Sequence, residues 1–284
     1  MKRISLALLT LCFLLGIQVK TNSQVFDSPP RDGIYDKVHT PNRKPIPYVP
    51  IREADVVWTK RIWRVIDLRQ KINHPFYFPE KPYNQWRSFT QILLDGLKEG
   101  SITAYEVSNT DEFNTPLTFQ DIMSRLNTID SSQQQRPDPP YDWYDTVIVK
   151  EFNPIDVRQI RLKEDWFFDK QRSVQDVRII GICPVVDDVD DNGEYKGTKP
   201  LFWIYFPEAR PLFAKTEVFN RFNDAERRTF DDLFWKRFFG SYVIKESNVY
   251  DRKISDYSTG LNALMESDRI KNDLFTFEHD LWEF

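Results

Sequence analysis

The sequence predicts a mixed α+β protein: two lobes of amphipathic helices with small, mostly antiparallel sheets, preceded by an extended proline-rich arm. Three observations predict it. Apolar residues recur at helical spacing in several separate stretches, β-branched and aromatic runs of strand length lie between them, and prolines crowd residues 24–50.

The chain opens on an export signal over residues 1–23. Lys2 and Arg3 supply the positive start, and Ile4 to Ile17 form a nearly unbroken apolar stretch. Thr21 and Ser23 then satisfy the small-x-small rule for a cut between Ser23 and Gln24. The stretch is shorter than the roughly 20 apolar residues that an anchor needs. Cleaved export is therefore expected, with no direct membrane insertion. Cys12 follows Leu11, where lipoprotein processing needs a small residue, so lipidation is not expected.

From Gln24 to Pro50 the prolines at 29, 30, 41, 45, 47 and 50 exclude helix and favour an extended arm. Phe26, Ile34, Tyr35, Ile46, Tyr48 and Val49 give that arm side chains to dock on a surface, the alternative for residues 24–50 being a disordered tail that would not need them. Residues 51–127 read as the first lobe. Ala54, Trp58, Ile62, Val65 and Ile66 recur at helical spacing up to Asn73-His74-Pro75, which predicts a helix. A second helix runs from Trp86 to Leu97 and stops at Gly100; a strand, Ile102 to Val107, follows. Thr118 then opens a short helix, with Asp121 in capping-box position. Residues 128–141, polar and proline-rich, read as a linker or an excursion.

The second lobe covers residues 142–284. It holds a strand at Thr146 to Phe152, and the runs Val177 to Val186 and Leu201 to Phe206 pair as a hairpin. A helix is expected from Ala225 to Phe239, and a charged helix from about Leu261 closes the chain. Faint echoes hint at duplication: Tyr77-Phe78-Pro79-Glu80 against Tyr205-Phe206-Pro207-Glu208, and Thr118-Phe119 with Asp121 against Thr229-Phe230 with Asp232.

Composition narrows the function. Losing Lys2, Arg3 and Lys20 leaves 36 basic residues of 39 against 43 acidic ones, a mature net charge of −7. That balance argues against a nucleic-acid partner. With only 9 glycines, and without P-loop, Rossmann or Gly-x-Ser-x-Gly patterns, no cofactor or catalytic residue is assigned. Cys183 is the single cysteine left after the leader and reads as a small buried hydrophobe. His39, His74 and His279 lie far apart, without metal spacing. In the acidic run, Asp188, Asp190, Asn192 and Gly193 match the first positions of a calcium loop. Lys196 and Lys199 occupy its later ligand positions, so a solvated hairpin loop is expected there and no metal site. Aromatic residues make up 15% of the chain, and aromatics with arginine dominate interface hot spots. Tyr35, Tyr48, Trp166, Phe167, Arg172 and Arg210 are the interface candidates.

Three blocks carry a resemblance: Lys163 to Pro184, Trp203 to Arg210, and Leu94 to Tyr105. Together they resemble the GldN/PorN gliding motility family over about residues 30–250. The resemblance implies a non-enzymatic core component of the type IX secretion system of Bacteroidetes, located in the periplasm. It implies association with the outer-membrane lipoprotein GldK/PorK, self-association in a ring beneath the outer membrane, and proximity to the GldL–GldM motor complex. The arm would then wrap a neighbouring subunit or the lipoprotein. The alternative is a periplasmic carbohydrate-binding protein or hydrolase with an aromatic cleft, which would purify as a small, ligand-responsive species.

Overall fold

In the computed structural model, residues 38–108, 111–135, 137–139, 143–189, 194–221, 223 and 225–280 are described. In chain order the elements begin with β1 (Val56–Asp67), α1 (His74–Tyr77), α2 (Phe89–Glu99), β2 (Ala104–Tyr105), β3 (Pro116–Leu117) and α3 (Phe119–Leu126). There follow β4 (Thr128–Gln135), β5 (Trp143–Lys150), β6 (Val157–Asp169), β7 (Val174–Val189), β8 (Tyr195–Pro200) and β9 (Trp203–Tyr205). The last elements are α4 (Phe206–Lys215), α5 (Phe230–Trp235), β10 (Tyr242–Glu246) and α6 (Leu261–Asp280).

The class is α+β, but the expected pair of lobes with small sheets is overturned. One 8-stranded antiparallel sheet dominates, in the order β10-β1-β6-β7-β9-β2-β3, with β8 also paired to β7. Strands from both ends of the chain interleave in it: β1 lies between β10 and β6. The physical reason is β1 itself. The stretch expected as a helix is a 12-residue strand, VVWTKRIWRVID, whose β-branched and aromatic residues suit a pleated surface. Its neighbour β6 pairs with it from Val56 opposite Asp169 to Asp67 opposite Gln159.

β6 and β7 form a long hairpin around Lys170–Ser173, where Asp169 accepts the Gln171 N–H at 2.9 Å and the Arg172 Nε–H at 2.7 Å. The expected pairing of Val177–Val186 with Leu201–Phe206 is present only as Gly181 opposite Tyr205 and Ile182 opposite Ile204. Most of β7 pairs with β6, and its far end with β8. Residues expected as a linker hold β4, which pairs with β5 along its whole length in a separate 2-stranded sheet.

The helices obey their end signals. Ser88 caps α2 with Gln91 in a capping box, and Gly100 closes it in the left-handed region at φ 70°. Thr118 with Asp121 opens α3, and Thr229 with Asp232 opens α5. Because Thr229 is that cap, α5 starts at Phe230 and is far shorter than the expected Ala225–Phe239 helix. The Tyr-Phe-Pro-Glu echo marks opposite situations, at the end of α1 and at the start of α4. Between sheet and helices lies a phenylalanine core. Phe89 meets Phe213 at 5.2 Å, Phe234 at 5.4 Å and Phe230 at 5.5 Å, and Phe76 meets Phe234 at 5.1 Å. Each such buried ring contributes about 1.5–3 kcal/mol of transfer free energy, and together they fix α2, α4 and α5 against the sheet.

Candidate functional site

The described part of the arm docks on its own chain. Prolines 41, 45, 47 and 50 keep residues 43–50 free of regular structure, and side chains fasten the segment at three points. Thr40 donates its hydroxyl to Glu217 at 2.6 Å, both residues being buried. Arg43 donates two hydrogen bonds to Asp232, at 2.7 and 2.6 Å, in the bidentate geometry that gives guanidinium–carboxylate pairs their strength. Tyr48 enters a slot built by α4, α5 and β7.

That slot is organised around a buried cation. Arg210, from the middle of α4, is 4% exposed and donates two hydrogen bonds to Asp231 of α5, at 2.9 and 3.2 Å. A charge so desolvated needs such a partner. Tyr48 lies over the Arg210 guanidinium at 4.4 Å, and Trp235, the last residue of α5, lies at 5.0 Å. The two rings stack on each other with centroids 5.5 Å apart. Arg178 of β7 reaches the same place, 4.9 Å from the Tyr48 ring, and donates to the Val49 carbonyl. Burial pushes the Tyr48 hydroxyl above its ordinary pKa, against the opposing pull of Arg210. Asp232 is held below its ordinary value: burial alone would raise it, but the Thr229 N–H and the Arg43 guanidinium outweigh that.

Beneath Tyr48 is a cleft of about 270 Å³ lined by Val177, Ile179, Phe206, Phe234 and Arg237 among others. Arg237 continues the charge network inward. It pairs with the fully buried Glu164 at 2.9 Å, and Glu164 also pairs with Arg64 at 3.0 Å and accepts the Trp166 indole N–H at 3.0 Å. Burial lowers the Arg64 pKa, with Glu164 opposing. Asp176 and Asp231 also line the cleft, so the arrangement offers aromatic, cationic and anionic contacts. Cys183, the one described thiol, is buried and its pKa is pushed up to about 12.

Tyr48 and Arg210 come together directly, and Phe167 joins them through Arg178, which lies 5.5 Å from its ring. Trp166 sits between Arg64 and Arg237, 5.4 Å from each guanidinium. Arg172 is elsewhere, bridging Asp169 and Asp176 at the β6–β7 turn. Asp188 is exposed near the end of β7, opposite Gly197. Ser23, Gln24, Tyr35, Asp190 and Asn192 lie outside the described residues. Arg43, Glu217, Asp231 and Trp235, which no local pattern singles out, complete the site. The Thr229–Asp232 echo was the one local signal that pointed toward this place.

The family model for gliding motility associated protein GldN matches residues 51–283. The chain belongs to the GldN family. No curated protein matches it closely enough to add to this. Membership makes this GldN-family chain a component of the gliding motility and type IX secretion machinery. The match begins at residue 51, so the docked segment lies immediately ahead of the family core, onto which it folds. Among the described residues, no helix is long and apolar enough to cross a membrane.

Proposed function

We propose that this GldN-family protein is a non-enzymatic structural subunit, exported to the periplasm, that builds a ring beneath the outer membrane with a GldK/PorK-type lipoprotein, close to the GldL–GldM motor. The observation that carries the reading is the Tyr48–Arg210–Trp235 stack on the family core. It is an aromatic and arginine contact surface of the type that dominates protein interfaces, and here it already holds a chain segment. Residues 39–50 are the fastened root of the arm, and the arm as a whole, residues 24–50, is the element that joins a neighbouring subunit or the lipoprotein. Trp235 and Phe238, which remain partly exposed beside the root, extend the contact surface.

The test is co-purification of the lipoprotein from envelope extracts. Removing residues 24–37 while keeping the docked root should abolish capture and leave the melting temperature of the body unchanged. Full capture by that variant would contradict the role of the arm. A body that binds no envelope lipoprotein under any condition would contradict the structural reading itself.

A further inference from the structure

The C-terminal helix α6 has two apolar faces, and the fold uses one. On the inner face Ile270 and Leu274 are buried against β1 and β10, Phe277 stacks on Trp58 at 4.5 Å, and the Ser267 hydroxyl accepts the Val243 N–H at 2.8 Å. A surface helix ordinarily turns charged residues outward. Here Leu261 (72% exposed), Leu264 (55%), Met265 (62%) and Phe275 (68%) stand on the outer face. At 100° per residue, Leu261, Leu264, Asp268, Asn272 and Phe275 form one stripe, with Met265 and Lys271 on its two flanks. Asp268 and Lys271 are exposed and make no ion pair among the described residues, although Arg269 beside them is fully engaged with Glu266 and Asp273.

We infer that this stripe is a self-association surface on which α6 packs antiparallel against α6 of a second copy. The charge pattern selects that occupant. A two-fold axis crossing the helix between residues 269 and 270 sets Leu264 of one copy against Phe275 of the other. The same axis sets Asp268 against Lys271. Each contact forms twice, as an isologous interface requires. Parallel packing would instead oppose like charges. The stripe from Leu261 to Phe275 is about 21 Å long at 1.5 Å per residue, which places the contact at the weak, reversible end of specific interfaces. A ring closes through head-to-tail contacts, so this pairing is a second, separate joint.

Sedimentation velocity on the mature protein should show a concentration-dependent monomer–dimer equilibrium. Asp268→Lys alone or Lys271→Asp alone should abolish the dimer, and the two together should restore it. Geometry adds an independent check. Leu264 and Phe275 both changed to Cys should give a covalent dimer on oxidation. Leu264→Cys alone should not, because its two copies stand eleven residues of helix apart, about 16 Å, beyond disulfide reach. Cys183 is buried and does not compete. Monomer at every concentration, no rescue by the double charge swap, or equal crosslinking by the single and double cysteine variants would each overturn the inference. An unsubstituted protein that stays monomeric while lipoprotein capture is intact would overturn it without touching the proposed function.

Discussion

Arg43 in the arm binds the same Asp232 carboxylate that closes the capping box of α5. Its guanidinium donates at 2.7 and 2.6 Å, while Oδ2 also accepts the Thr229 N–H at 3.1 Å. One side chain therefore holds both the start of a core helix and the root of the arm, so arm docking and core stability are coupled.

Asp232→Ala should accordingly cost more than Arg43→Ala. Thr229 would still cap α5, so losing the Asp232 half of the capping box costs toward the lower end of the about 0.5–2 kcal/mol a cap is worth, and the arm contact adds to it. Arg43 is itself 39% exposed, so its loss should cost about 1 kcal/mol or less. Urea denaturation of the two single variants and the double variant tests this. The double variant should be no worse than Asp232→Ala.

The same pair makes arm docking sensitive to acid. Asp232 has a folded pKa below its ordinary 3.8, so its contribution is complete above that value and is lost as pH falls through the folded pKa. A fluorophore on Ile46→Cys should report a docked arm at neutral pH and release in the acid range below about pH 4. In Asp232→Asn, where Thr40 and Tyr48 still hold the segment, the neutral-pH signal should already be shifted part-way toward the acid one. An acid profile unchanged by Asp232→Asn would rule this pair out as the arm's titrating contact.

Arg210→Ala would leave Asp231 buried without its counter-ion, and breaking such a pair costs about 3–5 kcal/mol. Arg210→Lys should restore only part of this, because an ammonium cannot reproduce the two-pronged bond to Asp231 or the stacking with Tyr48 and Trp235. Thermal unfolding of the two variants gives the order.

Two core positions test the packing. Phe89→Ala removes a ring that touches four others and should cost about 3–5 kcal/mol. At Gly181 an added Cβ would lie 2.7 Å from Phe113 and 3.1 Å from Trp203. Gly181→Ala should therefore cost about 1–3 kcal/mol by overpacking. Chemical denaturation measures both.

Local signals were readable in the sequence. Thr118 with Asp121, Thr229 with Asp232 and the stop at Gly100 each did what their residue types dictate. β1 was not readable. Its residues Ile62 to Ile66 are buried on both faces, which erases the alternation that marks a strand. Its apolar residues at 58, 62, 65 and 66 then imitate a helical period. β4 was hidden by polarity, since Asp130-Ser131-Ser132-Gln133-Gln134-Gln135 carries no apolar pattern. The docking site was hidden by distance. Thr40 and Glu217 are 177 residues apart and Arg43 and Asp232 are 189 apart. A polar pair of that separation leaves no periodicity to find, whereas Tyr48 and Arg210 were noticed for their chemistry alone.

On the proposed function, this protein works as a structural subunit held by partners. Mass measurement of the native protein, released from its own cell envelope with mild detergent and purified intact, tests it most directly. The expected product is a very large particle that contains many copies of this chain together with an outer-membrane lipoprotein. A small species of one or two chains that carries no lipoprotein and responds to a soluble ligand would contradict it.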